Sequence, residues 1–327
     1  MNITPTSPIS EQIKEESARF HGLDIEISKV IIGQKHIIDF IINAILCNGH
    51  ILLEGVPGVA KTTMIKSAAN ALGLKFNRIQ FTPDLLPADL IGTLIYNPKT
   101  QEFETKKGPV FAHLILADEI NRAPAKVQSA LLEAMQERQV TIGSQTFKLD
   151  KPFLVFATQN PIEQEGTYRL PEAQLDRFMF KINVAYPNQQ EERELLKRKL
   201  DTDVVQQVLQ KDAIFAAQKL VNDVYVDEKI IDYIINIIFA TRNPAIQLKE
   251  IAAYIRYGVS PRATLALYHA AKAHAFLKKR HFVIPDDVKK MATVVLRHRL
   301  ILSYEAEADN ITPDYLIEKI LASIVSP

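Results

Sequence analysis

The 327-residue sequence has one cysteine, no tryptophan and almost no net charge, with 39 Lys and Arg against 38 Asp and Glu leaving +1. A single thiol, Cys47, cannot close an internal disulfide, which suits a reducing compartment such as the cytoplasm. The charge balance argues against a nucleic acid as main partner, because domains that bind it usually carry a basic surplus. Apolar runs are short. The stretch 37–46 is broken by Asp39 and Asn43, and no run approaches the ~20 residues needed to span a bilayer. Residues 1–10 have neither a basic n-region nor an apolar h-region, so no signal peptide is expected. The eight histidines show no H-E-x-x-H spacing, and no G-x-S-x-G elbow occurs, which sets aside zinc-protease and serine-hydrolase chemistry.

What remains is an ordinary globular composition, 47% hydrophobic and 24% charged. The length suits two domains, and a chain this long buries about three quarters of its unfolded surface without staples. The two halves differ in texture. Short apolar runs at 51–54, 76–81, 113–118, 153–158 and 178–184 alternate with helical periodicity, such as Val127, Ala130, Leu131, Ala134 and Met135. Buried runs separated by helices predict a parallel sheet covered on both faces. From Tyr186-Pro187-Asn188 onward strand-like runs disappear. Helices are expected at 191–200, 227–241, 261–279, 285–300 and 312–324. The expectation is an α/β domain followed by a smaller all-α domain, divided as 1–29, a helical lead; 30–186, the α/β core; and 187–327, the helical part. Two stretches, 93–105 and 139–149, carry β-type residues on both sides of a turn cluster and read as inserted hairpins.

One segment carries clear chemistry. A strand leads into Gly55-Val56-Pro57-Gly58-Val59-Ala60-Lys61-Thr62-Thr63, a phosphate loop in its required strand-to-helix context. Glycines let backbone N–H groups close around phosphates, and the following helix adds its positive N-terminal end. Lys61 can reach the β- and γ-phosphates, and the Thr62 hydroxyl can coordinate Mg²⁺. The pattern asks for glycine where this chain has Ala60, which is tolerable if that residue sits near helical angles.

The run 113–117 ends in Asp118-Glu119. Its strand is expected beside the phosphate-loop strand, with Asp118 reaching Mg²⁺ and Glu119 deprotonating an attacking water. A second run ends at Asn160, placed to hold that water opposite Glu119, or else to form a turn before Pro161. Arg177 precedes the last strand. Arg262 falls in the first turn of a helix with Ser260 as N-cap and Pro261 at N1. The helix dipole opposes a cation there, which favours a role toward an anion; a salt bridge is the alternative for both arginines. Arg297-His298-Arg299 reads as a solvated helix end, and 163–165 as an exposed acidic loop.

These motifs, in order, resemble the Walker A, Walker B, sensor 1, arginine finger and sensor 2 of AAA+ ATPases, and are similar to the MoxR family in particular. The likeness rests on Gly55 to Thr62 with its alanine, Asp118-Glu119-Ile120-Asn121-Arg122-Ala123-Pro124-Ala125, Asn160 to Tyr168, Leu170 to Phe178, and Ser260-Pro261-Arg262-Ala263-Thr264. The resemblance implies an αβα P-loop NTPase domain with a five-stranded parallel sheet and a C-terminal all-α lid. It implies ATP and ADP as ligands with Mg²⁺, and places Ile32-Gly33-Gln34 near the adenine. The hairpins correspond to the helix-2 insert and the pre-sensor-1 hairpin. The family's habit of forming hexameric rings implies a homo-oligomer in which Arg177 acts on the neighbour's ATP, with Arg262 acting in cis or in trans. Its partners are often von Willebrand factor A domain proteins, and its role is chaperone-like, including metal insertion. A nucleic-acid motor and a nucleotide-regulated scaffold are the competing expectations.

Overall fold

The computed structural model describes residues 8–161, 166–197 and 205–327. Helices α1 (Pro8–Ser28) and α2 (Lys35–Cys47) lead into β1 (Ile51–Gly55), α3 (Lys61–Ala71), β2 (Phe76–Gln80) and α4 (Pro87–Ile91). A hairpin, β3 (Gly92–Asn97) and β4 (Glu102–Lys107), precedes β5 (Leu114–Asp118) and α5 (Ala125–Glu137). A second hairpin, β6 (Gln139–Ile142) and β7 (Gln145–Lys148), precedes β8 (Leu154–Gln159), α6 (Glu172–Leu175) and β9 (Phe180–Val184). Then come α7 (Gln189–Lys197), α8 (Lys211–Asp223), α9 (Glu228–Arg242), α10 (Pro244–Gln247), α11 (Lys249–Ala252) and β10 (Ile255–Tyr257). The chain closes with α12 (Pro261–Leu277), α13 (Pro285–Leu296), β11 (Ile301–Leu302), α14 (Tyr304–Ala308) and α15 (Pro313–Ser323).

Five strands form one parallel sheet in the order β2-β5-β8-β1-β9. Successive side chains of a strand point to opposite faces. Thus Leu114, Leu116, Leu154 and Phe156 join Ile51 and Leu53 on one face, while Ile115, Ala117, Val155 and Ala157 join Leu52 on the other. Burial on both faces is why these strands read as unbroken apolar runs. The second face is covered by α5, through Val127, Leu131 and Met135. The first is covered by α2 and α3, and its core runs on without a break into α8, α9, α12 and α13. Ile13, Phe20, Leu23 and Ile27 of α1 are buried in that same core.

Both expected hairpins form antiparallel ladders, pairing Leu94 with Thr105 and Ile142 with Gln145. Three expectations need correction. β5 does not lie beside β1: β8 runs between them, which puts the polar end of β8 between the phosphate loop and the acidic pair. The helical half is not free of strands, because β10 pairs with β11; strands of three and two residues are too short to leave a periodic pattern. Nor is 297–299 a solvated end, since His298 and Arg299 are buried. The expected acidic loop 163–165 and the end of the helix expected at 191–200 lie outside the described residues.

Candidate functional site

The chain leaves β1 at Gly55, where a Cβ would fall 2.5 Å from the Val184 carbonyl oxygen of β9, so only glycine fits. Gly58 takes φ +84° with nothing within 4 Å of where a Cβ would sit, leaving open space inside the loop. Ala60 also adopts the left-handed conformation, φ 58° and ψ 22°. This overturns the expectation of ordinary helical angles, and such a conformation costs an L-residue roughly 1–2 kcal/mol. α3 starts at once with Lys61, and no side chain caps its N-terminus, so its first N–H groups are left for an anion.

The Lys61 ammonium donates to the Gly55 carbonyl at 2.6 Å. Burial pulls its pKa below the ordinary lysine value, while Asp118 and Glu119 pull it back up. These groups share one cavity of about 490 Å³, walled by residues 57–63, by Asp118 and Glu119 at the end of β5, and by Thr158 and Asn160 at the end of β8. Thr158 ties the walls together: its hydroxyl donates to Asp118 Oδ1 at 2.6 Å and accepts the Glu119 N–H at 2.8 Å. Arg78 and Gln80 of β2 complete the wall. Gln80 Nε2 donates to Glu119 Oε2 at 2.8 Å, and Arg122 reaches the same oxygen at 3.0 Å.

Arg177 and Arg262 are elsewhere. They line a second cavity of about 310 Å³ with Arg299, His50, Met135 and Cys47. His50 immediately precedes β1 and Arg177 precedes β9, so this cavity lies along the edge of the sheet formed by the N-terminal ends of its strands, opposite the edge formed by their C-terminal ends, where the phosphate loop sits. A five-residue strand separates the two edges by about 16 Å. Among the described residues neither arginine forms a salt bridge, and Arg177 Nε finds no partner.

The model of the ATPase family associated with various cellular activities (AAA) matches residues 50–180, and an AAA lid domain model matches 248–320. Chaperone MoxR1 of Mycobacterium tuberculosis is 47% identical over 95% of this chain and 84% of its own length. Protein MoxR of Paracoccus denitrificans is 34% identical over 98% and 99% of the two chains. The crystal structure of a candidate ATPase from Cytophaga hutchinsonii matches with TM-score 0.91 and 50% identity, over 97% of this chain and 98% of that one. The chain belongs to the MoxR family of AAA+ ATPases.

As a MoxR-family member it is an ATP-hydrolysing enzyme that binds nucleotide, with the AAA+ αβα domain and helical lid. Within this MoxR fold, Lys61, Thr62, Thr63, Asp118, Glu119 and Asn160 come together, as do Pro57, Gly58, Val59 and Ala60. Gly55 and Val56 stand behind that wall, Val56 packed partly on the core. Ile32 and Gly33 are not on the phosphate cavity. They sit past β9, where Gln34 Nε2 donates to the Ala185 carbonyl at 3.3 Å and the Glu191 side chain covers Gly33. That position flanks the same sheet edge as the loop. Sequence reasoning missed Arg78, Gln80 and Thr158. The signal was there: residues 78 and 80 are polar at i and i+2 in a strand ending at the ligand edge.

Proposed function

We propose that this chain hydrolyses ATP at the interface between copies of itself, in a ring. The split of its motifs between two opposite edges of one sheet carries this reading. Lys61, Glu119 and Asn160 line one cavity at the C-terminal ends of the strands, while Arg177 and Arg262 line another beside their N-terminal ends. A site divided in this way is completed only when the second edge of one copy meets the first edge of the next. Head-to-tail contacts make a ring when the rotation between copies closes, and a closed ring of six copies is what the family implies. Both arginines then act in trans.

In this assembly the loop N–H groups and Lys61 hold the phosphates. Glu119 takes the proton of a water that Asn160 holds in line with the γ-phosphate. Lys61 and the neighbour's Arg177 stabilise the charge that develops on the transferred group, and an arginine in this role is typically worth 10³–10⁵ in rate. The site suits Mg²⁺: the Thr62 hydroxyl and Asp118 carboxylate are hard oxygen donors on one cavity, and Asp118 is already set against a cation, Arg78. When bound, the ion neutralises charge on the β- and γ-oxygens.

A protein client and a chaperone-like role complete the reading, with a von Willebrand factor A domain protein as the class the family implies and the cytoplasm as location. The M. tuberculosis relative named a chaperone supports it, as does the balanced charge. The β3–β4 hairpin also presents an apolar surface of Leu94, Ile95, Tyr96 and Phe103, with the last two rings 5.5 Å apart. Among the described residues no helix is long and apolar enough to cross a membrane.

The test mixes two inactive variants. Glu119→Gln should bind ATP without turnover, and Arg177→Ala should also be inactive. Mixed, they should regain a measurable fraction of activity, because an intact loop then faces an intact arginine. No recovery at any mixing ratio overturns the shared site.

A further inference from the structure

The 297–299 segment, which the sequence presents as a solvated end, lies against the turn that carries Arg177. Arg299 follows α13 and is almost wholly buried. Its Nη2 donates to the carbonyls of Asp176 at 3.1 Å and Phe178 at 2.5 Å, its Nη1 donates to Met179 at 3.1 Å, and its Nε meets Asp176 Oδ1 at 2.8 Å. One side chain thus holds the backbone on both sides of Arg177. The Asp176 carboxylate has a second partner. Ser260 Oγ donates to it, 2.9 Å from both oxygens, and accepts the Arg262 N–H at 3.2 Å as N-cap of α12.

We infer that Arg299, Asp176 and Ser260 are positioning residues that lock Arg177 and Arg262 into one unit presented to the neighbouring copy. This rests on the shared-site reading above. The three side chains join elements that are far apart in sequence. The Arg177 turn belongs to the sheet, Arg262 to the first turn of α12, and Arg299 to the segment after α13. The shared core holds these elements together, but among the side-chain contacts near the two arginines it is the Asp176 carboxylate that ties the Arg177 turn to the first turn of α12, which carries Arg262. An error of about 1 Å in such a group costs on the order of 10²-fold in rate. Burial draws the Arg299 pKa down to about 10, and Asp176 opposes that pull, so the guanidinium stays charged near neutral pH. The network leaves Arg177 and Arg262 themselves outside any salt bridge among the described residues, free to meet a phosphate.

The experiment uses the full chain with Asp176→Asn, Ser260→Ala and Ser260→Thr. Fluorescent ATP-analogue affinity should stay within about twofold of wild type, since the phosphate cavity is at the other edge of the sheet. Turnover of Asp176→Asn and Ser260→Ala should fall about 10- to 100-fold, while Ser260→Thr, which keeps the hydroxyl, should hold at least half. Mixed with Glu119→Gln, the Asp176→Asn and Ser260→Ala chains should recover activity as Arg177→Ala does, because the partner supplies the intact arginine pair. A purely structural role would move nucleotide affinity as well and would not be rescued in trans.

Full turnover in Asp176→Asn and Ser260→Ala overturns the inference. So does lost turnover that Glu119→Gln fails to rescue while it rescues Arg177→Ala. If Arg177→Ala is not rescued either, the shared site itself is wrong and the inference falls with it. Should Asp176→Asn not fold, the pair Ser260→Ala and Ser260→Thr decides on its own.

Discussion

Arg78 and Asp118 meet across neighbouring strands, with Arg78 Nη2 2.7 Å and Nε 2.9 Å from one carboxylate oxygen. The contact follows from register. β2 and β5 run parallel with Gln80 opposite Asp118, so residue 78, two places earlier on the same face, extends toward the strand end. The pair lies inside the phosphate cavity, where Arg78 is a second cation beside Lys61.

Arg78→Ala should therefore separate stability from binding. The guanidinium is half exposed, and exposed pairs contribute about 0–1 kcal/mol, so unfolding should barely change. Affinity for ATP should fall about 3- to 10-fold, on the order of 1 kcal/mol for one lost charged contact. Titration with a fluorescent nucleotide alongside a denaturant melt checks both; unchanged affinity would remove Arg78 from the site.

Ala60 holds φ 58° in the phosphate loop. Relief of its strain is worth roughly 1–2 kcal/mol, and glycine's extra unfolded-state freedom costs about 0.4–1 kcal/mol. Ala60→Gly should thus stabilise the protein by about 0.5–1 kcal/mol while nucleotide affinity changes less than about threefold. Urea unfolding decides it, and a destabilised variant would count against strain at this residue.

Two buried histidines make the fold sensitive to acid. His50 Nε2 donates to the Met135 carbonyl at 3.2 Å and its Nδ1 accepts the Val155 N–H at 2.9 Å, so the ring is held neutral. Burial and then Arg138 draw its pKa down to about 3. His298 is drawn well below 6.5, by burial first and then by Arg299. The unfolded chain takes up protons near pH 6.5 that the folded chain refuses. The stabilisation is therefore complete above that pH and is lost as pH falls below it. From pH 7 to 5.5 the two together should cost about 2–3 kcal/mol, and His50→Gln should remove roughly half of that slope. Urea unfolding at both pH values measures it, and an unchanged slope in the variant would exclude His50 as a source.

Phe20 of α1 is buried, its ring 6.1 Å from that of Phe276 in α12. Phe20→Ala should cost about 3–5 kcal/mol, the usual penalty for emptying an aromatic site in a packed core. A drop under about 1 kcal/mol would mean that α1 contributes little to the core.

Much of this protein was legible without coordinates because its signals are local. An apolar run ending in a glycine-rich turn before a helix is recognisable within residues 51–63, and the strand run ending in Asp118-Glu119 is equally compact. Both hairpins announced themselves through turn residues between β-formers. What stayed hidden depends on contacts between residues far apart in the chain. Nothing near residue 118 says that β8 separates it from β1, or that Thr158 will bridge to it. The left-handed angle of Ala60 is imposed by loop closure, against the preference of the residue itself. Residues 297–299 look solvated by composition, yet the charge of Arg299 is buried because Asp176 and the backbone carbonyls of Asp176, Phe178 and Met179, distant in sequence, compensate it together with the nearby Val295 carbonyl. By itself, then, the sequence determined the phosphate loop, the acidic pair, the alternation of strands and helices, and the family. Tertiary structure alone decided that β8 lies between the loop strand and the acidic strand, and that Arg262 and Arg299 gather beside Arg177, because strand order and the docking of α12 are set by burial of a shared core.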